Sequence, residues 1–112
     1  MGRNKDMIIR GGENIYPKEI EDYLNMHPCI VETHVIGVPD ERLGEEVCAY
    51  IRVNENGKTL TRAQIVEFCK GKLAHFKHPK YVRIVESFPK TTSGKVQKFI
   101  LLNYFVSGTK YD

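Results

Sequence analysis

The sequence predicts an α+β layer fold: a small, three-stranded, mostly antiparallel sheet with flanking helices, preceded by an N-terminal β-hairpin. Three observations carry this expectation. Apolar residues recur at helical spacing after Pro17 and again after Thr61, but alternate through 46–53. Turn-forming residues, Gly11-Gly12, Pro39-Asp40 and Asn54-Glu55-Asn56-Gly57, punctuate those runs. The resulting order is β-hairpin, α, β, β, α, β, α, with no internal repeat and no low-complexity tract.

Met7-Ile8-Ile9-Arg10 is strand-like, and Gly11-Gly12 closes a tight hairpin because glycine enters positive φ without steric cost. Pro17 suits the first helical position, where its missing N–H costs nothing. Ile20, Tyr23 and Leu24 follow at helical spacing, and Glu19, Glu21 and Asp22 fall in early turns, where the helix dipole favours negative charge. His27-Pro28 ends that helix. The run 30–38 is β-branched, with Val31, Thr33 and Val35 expected on one face, and Val47, Ala49, Ile51 and Val53 share a face of the next strand. Thr61 and Gln64 match a capping box, with Ile65, Phe68, Cys69 and Leu73 as the buried stripe behind it. Residues 81–86 complete the expected sheet. A last helix over 98–105 should turn Phe99, Leu102 and Leu101 inward, leaving 106–112 as a frayed tail.

At 112 residues the chain is one domain, with room for a modest core but little for enclosing two substrates. It therefore reads as part of a larger enzyme or as a binding module. No apolar run is long enough to span a membrane. Cys29, Cys48 and Cys69 are odd in number and widely spaced, which argues against a disulfide framework and for a reducing, intracellular compartment. The charge of +3 arises from 17 basic and 14 acidic residues well mixed along the chain, a mild preference for anions. The four histidines lack the tight paired spacing of a structural zinc site.

Two stretches could carry chemistry. In Pro89-Lys90-Thr91-Thr92-Ser93-Gly94-Lys95 a polar turn presents one lysine at the mouth of an apolar helix. An ammonium on a long stem can reach a phosphate or a developing oxyanion. The bland alternative is a solvated lysine at a helix start. The loop 74–80, with Phe76, His78 and Lys80, combines an aromatic with basic residues, suiting a phosphorylated ligand that bears a base; a solvated connector is the competing reading. Gly11 and Gly12 would let something narrow pass close to the backbone, or are simply a turn.

Taken together, these stretches resemble the adenylate-forming enzymes, the AMP-dependent synthetase and ligase superfamily. Gly2-Arg3-Asn4-Lys5-Asp6-Met7-Ile8-Ile9-Arg10-Gly11-Gly12-Glu13-Asn14-Ile15-Tyr16-Pro17 with Glu19-Ile20-Glu21 is similar to the family's hinge motif. Gly37-Val38-Pro39-Asp40 with Gly44-Glu45, and Pro89-Lys90-Thr91 with Ser93-Gly94-Lys95, match its later signatures in order. The likeness is greatest to the acyl-CoA synthetases, medium-chain fatty acyl enzymes in particular.

The resemblance implies that 1–112 is the mobile carboxy-terminal lid, beginning at the hinge and inactive by itself. Its partner would be an N-terminal adenylation domain. The substrates would be a carboxylic acid, ATP and coenzyme A, with Mg²⁺ in the full enzyme. Lys95 then matches the lysine of the adenylation step, Lys5 the hinge pivot and Arg3 a contact to the nucleotide ribose. Gly11, Gly12, Phe76, His78 and Lys80 match coenzyme A contacts. His78 stands where arginine is common, and a neutral imidazole holds phosphate less firmly. Leu43 stands where some relatives use tryptophan. Two alternatives share these residues: a small basic nucleic-acid-binding module built on Lys90, Lys95, Lys98 and the 70–80 region, and a free-standing domain that docks on a separate adenylating partner.

Overall fold

In the computed structural model, which describes residues 7–88 and 90–107, two long strands form the spine. β3 (Ile30–Asp40) and β4 (Gly44–Val53) pair antiparallel along their lengths, from Ile30 opposite Val53 to Asp40 opposite Gly44. Alternation and adjacency are as expected, but both strands are longer and the turn expected at Pro39-Asp40 falls later. Pro39 and Asp40 belong to β3, and the chain reverses over 41–43. There the Asp40 carboxylate accepts hydrogen bonds from the backbone N–H groups of Leu43 (2.8 Å) and Arg42 (3.1 Å). The hydrogen bond from Leu43 is the largest influence holding the Asp40 carboxyl below its ordinary range, ahead of a smaller opposing push from burial.

The sheet differs from the three-stranded, mostly antiparallel one expected. It has five strands and is mixed. The hairpin of β1 (Ile8–Arg10) and β2 (Glu13–Ile15) joins it through Arg10 opposite Gly44. β5 (Tyr81–Val85) pairs parallel to β4, from Cys48 opposite Tyr81 to Arg52 opposite Val85. Since β3 occupies one edge of β4, β1 and β5 share the other. The parallel step follows from the connection: the helix α2 (Arg62–Cys69) lies between β4 and β5, and such a crossover returns the chain in the same direction.

Both faces of the spine are covered. On one, Val35, Val47, Ala49 and Ile51 pack with Ile20 and Leu24 of α1 (Pro17–Leu24) and Ile65 and Cys69 of α2 (Arg62–Cys69). On the other, Ile36, Val38, Cys48 and Tyr50 meet Phe88 and Leu101 of α3 (Lys98–Ser107). Each such fully buried aliphatic side chain contributes about 1.5–3 kcal/mol relative to exposure. The capping box of Thr61 and Gln64 is formed, with each side chain accepting from the other residue's backbone N–H.

Three further expectations change. A bulge between Ile30 and Glu32 makes Val31 the extra residue, so it is exposed while Thr33 and Val35 stay buried. In α3, Leu101 is the fully buried residue and Phe99 is 64% exposed. Val106 and Ser107, placed in the frayed stretch 106–112, belong to that helix, and 108–112 lie outside the described residues. Cys48 and Cys69 are buried in the core, which pushes their thiols up to about 12 and about 11 and keeps them protonated.

Candidate functional site

The first candidate element is the β1–β2 turn. Gly11 and Gly12 have φ of +55° and +88°, the left-handed pair that a two-residue hairpin between right-twisted strands requires. The turn is pinned to the reversal between β3 and β4. Gly11 N–H donates to the Leu43 carbonyl at 2.8 Å, and a Cβ at Gly11 would lie 2.9 Å from Leu43 Cδ2. Among the described residues nothing lies within 4 Å of a Cβ at Gly12, so its backbone is open on that side. Two glutamates reinforce the attachment. Glu45 Oε1 accepts the Ile9 N–H at 2.8 Å, and Glu46 Oε1 accepts Arg10 Nε–H at 2.9 Å with its side chain only 3% exposed.

The second element is the lysine stretch, whose geometry differs from that expected. Lys95 is not at the mouth of a helix; α3 begins three residues later. It sits instead on a small hairpin closed by an antiparallel bridge between Lys90 and Val96. Within it, Thr91 N–H donates to the Lys95 carbonyl and Gly94 N–H to the Thr91 carbonyl, both at 2.9 Å. Thr91 Oγ1 accepts the Lys95 N–H at 3.2 Å. The Lys95 side chain is exposed and makes no hydrogen bond or ion pair with any described residue.

Its lysine neighbours are engaged. Lys90 Nζ lies 3.4 Å from Glu32 and Lys98 Nζ lies 2.7 Å from Glu21 Oε2. Glu32 also meets His34 Nε2 at 2.8 Å and Arg52 Nη2 at 3.1 Å. Burial pushes the Glu32 carboxyl up, but the hydrogen bonds from His34 and Arg52 and the charge of Lys90 together outweigh it and hold it below the ordinary carboxylate value.

The 75–80 loop is less open than its composition suggests. Phe76 is half-buried against the first core layer. His78 Nε2–H donates to the Leu73 carbonyl at 3.1 Å, and Lys77 pairs with Glu19 at 2.8 Å. Lys80 is exposed, its ammonium 5.7 Å from the Tyr81 ring centroid, while its backbone N–H ties the loop to Val47 of β4. With Lys77, Lys90 and Lys98 each beside a glutamate, a continuous basic face for nucleic acid is largely neutralised. Arg3 and Lys5 lie outside the described residues.

Glu21, Glu32, Glu45 and Glu46 were missed from sequence. Glu21 and Glu45 fall within the matched motifs without a role being read for them, nothing local marks Glu46 as buried, and an acid in an early helical turn already has an explanation in the dipole.

This arrangement belongs to a known class: the chain is a member of the AMP-binding enzyme C-terminal domain family, which matches residues 19–95. Among curated relatives, the medium-chain acyl-CoA ligase ACSF2 of Rattus norvegicus, described as mitochondrial, is 57% identical over 101 residues. That match covers 90% of this chain and 16% of the relative. A putative acyl-CoA synthetase, YngI, of Bacillus subtilis is 49% identical over 89% of this chain and 18% of its own length. Among solved structures, apo MatB from Rhodopseudomonas palustris superposes with a TM-score of 0.87 at 44% identity, over 97% of this chain and 22% of that one. A Mycobacterium tuberculosis fatty acyl CoA synthetase gives 0.86 at 42% identity, over 95% and 21%. The chain thus spans less than a quarter of each of these proteins.

Proposed function

We propose that this domain completes the reaction centre of an AMP-forming acyl-CoA synthetase, whose larger N-terminal domain holds the acid and the nucleotide. The carrying observation is the contrast among three lysines: Lys90 and Lys98 are paired, whereas Lys95 projects from a braced hairpin with no partner among the described residues.

In acid activation a carboxylate oxygen attacks the α-phosphorus of ATP and pyrophosphate departs. Lys95 stabilises the charge that develops there, which requires no proton transfer from the ammonium. In the second step the coenzyme A sulfur attacks the acyl carbonyl and AMP departs. With the domain turned about Lys5, the Gly11–Gly12 turn lines the path of the thiol arm. Its open backbone at Gly12 supports that role.

Arg3 is assigned to the ribose, and Phe76, His78 and Lys80 to the nucleotide end of coenzyme A. Of these three, Lys80 is the most accessible, while the His78 ring must give up the Leu73 carbonyl to reach a phosphate. The Mg²⁺ that accompanies ATP is expected in the full enzyme; among the described residues no group of three or more His, Cys, Asp or Glu is placed to hold a metal.

A mostly apolar groove of about 170 Å³, whose lining includes Met7, Val35, Lys98, Phe99 and Leu102, supports contact with the larger domain. The relatives named as medium-chain and mitochondrial support a fatty acid substrate and a reducing intracellular setting.

The test is Lys95→Ala in the full-length synthetase. Acid-dependent pyrophosphate release should fall by about a hundredfold or more, the scale of losing one preorganised charge-stabilising group. Thioester formation from supplied acyl-adenylate should persist. Acid activation at the unmodified rate would sink the proposal.

A further inference from the structure

The hairpin that carries Lys95 is closed on itself by one bridge, and that bridge does not attach it to the sheet. Among the described residues, Val96 packs partly against the second core layer, the buried Phe88 and Leu101 hold the flanking chain on the sheet, and an ion pair fixes the segment at each of its two ends. At the first, Lys90 meets Glu32 of β3, itself gripped by His34 and Arg52. At the second, Lys98 meets Glu21 of α1.

The Glu21 contact joins both layers of the domain. α1 covers one face of the sheet and α3 the other, and the Glu21 carboxylate reaches the outer edge of β3 between them. There Oε2 accepts both the Val35 N–H at 2.8 Å and Lys98 Nζ at 2.7 Å. The pair is substantially shielded, with side-chain exposures of 16% for Glu21 and 24% for Lys98. Shielding from solvent makes it stronger than a surface ion pair.

A lysine stem has many rotamers, so a defined ammonium position in a transition state demands that its backbone be held. We propose that Glu21 and Glu32 are positioning residues for acid activation, anchoring the two ends of the 90–98 segment and acting on the reaction only through Lys95. The inference rests on the reading of Lys95 as the activating cation.

The test uses the full-length synthetase with Glu21→Gln and, separately, Lys90→Met. In the first, the amide oxygen can still accept the Val35 N–H while the charge is gone; in the second, the stem length is kept and the Glu32 anchor is lost. For each, kcat of pyrophosphate release should fall about tenfold, between the small effect of an exposed ion pair and the larger one of a displaced catalytic group. KM for acid and ATP should stay within about twofold, as expected when only the transition state is affected. Thioester formation from supplied acyl-adenylate should be unchanged.

Combined with Lys95→Ala, neither substitution should lower activation further, because residues that act as a unit are not additive. If Glu21→Gln fails to fold, Lys98→Met probes the same anchor from its partner. Parallel loss of both half-reactions, or a further loss on the Lys95→Ala background, would reveal a general structural role and overturn the proposal. Wild-type rates for both variants, with Lys95→Ala inactive, would overturn it while leaving the function of Lys95 standing. An active Lys95→Ala enzyme would overturn both.

Discussion

Two glycine-containing hairpins in this domain are attached in opposite ways. The Gly11–Gly12 turn is tied to the β3–β4 reversal by backbone: a ladder contact at Arg10 and Gly44, a hydrogen bond from Gly11 to Leu43, and a carboxylate on the Ile9 N–H. The Lys95 hairpin is tied by side-chain charge at its ends. A backbone attachment is short, directional and insensitive to salt, and it suits an element whose own main chain is the working surface. An attachment through lysine stems tolerates small displacements and weakens as charges are removed. The glycine turn is therefore expected to fail most by steric strain, with a smaller loss when the Arg10–Glu46 charge pair beside it is broken, and the lysine hairpin by loss of charge.

The largest effect is expected where strain and collision coincide. Gly11→Val places a β-branched residue at φ +55° and drives its Cβ to 2.9 Å from Leu43 Cδ2. A loss of about 3 kcal/mol of unfolding free energy is expected, combining left-handed strain of about 1–2 kcal/mol with local overpacking. Gly12→Ala meets no neighbour within 4 Å and should cost only the strain, about 1 kcal/mol. Urea unfolding of the two variants measures the difference. Equal losses would show that the Leu43 side chain moves aside for the added group at no cost.

Next in size is Glu46→Gln. This carboxylate is almost fully enclosed and holds Arg10, at the end of β1, against the start of β4. The amide keeps a hydrogen-bond acceptor but leaves a half-buried guanidinium without its counter-charge, at a cost of about 2 kcal/mol. Because the break is local to the hairpin, amide exchange should rise first at residues 8–15, before the β3–β4 spine loosens. Uniform loss of protection would mean that Glu46 supports the whole sheet rather than its N-terminal edge.

These attachments also mark how far the sequence could be read. Local signals survived folding: the paired glycines, Pro17 at a helix start, the Thr61–Gln64 box and the alternation of Val47, Ala49 and Ile51 all do locally what their chemistry dictates. The direction of β5 was not legible, because its pairing with β4 is a contact between residues 48–52 and 81–85 that no local pattern encodes. Nor was it legible that α3 covers the face of β4 that carries Cys48 and Tyr50, because that helix returns from the far end of the chain.

The inward residue of α3 was misjudged for a related reason. Every position from Phe99 to Leu102 is apolar, so periodicity does not select a face. The candidate site shows the same division. Lys95 and the glycine pair stand out by type and spacing, whereas their supports, Glu21, Glu32 and Glu46, become visible only once distant segments are side by side.

The smallest expected effect concerns the charge-held region and has a pH signature. Because the folded-state carboxyl of Glu32 is held below its ordinary value of 4.5, its ionised form is stabilised by folding, so its contribution is fully present above that value and is lost as pH falls through the folded-state one. Glu32→Gln removes the charge at every pH. At about pH 7 the variant should be less stable by about 1 kcal/mol, the scale of a partly exposed ion pair with hydrogen bonds. That gap should narrow below pH 4.5 and close once Glu32 is protonated in both folded and unfolded chains. Taking the difference between the two proteins cancels the carboxylates that they share. A gap that stayed constant into acid, or widened there, would show that Glu32 holds His34, Arg52 and Lys90 by packing rather than by its charge.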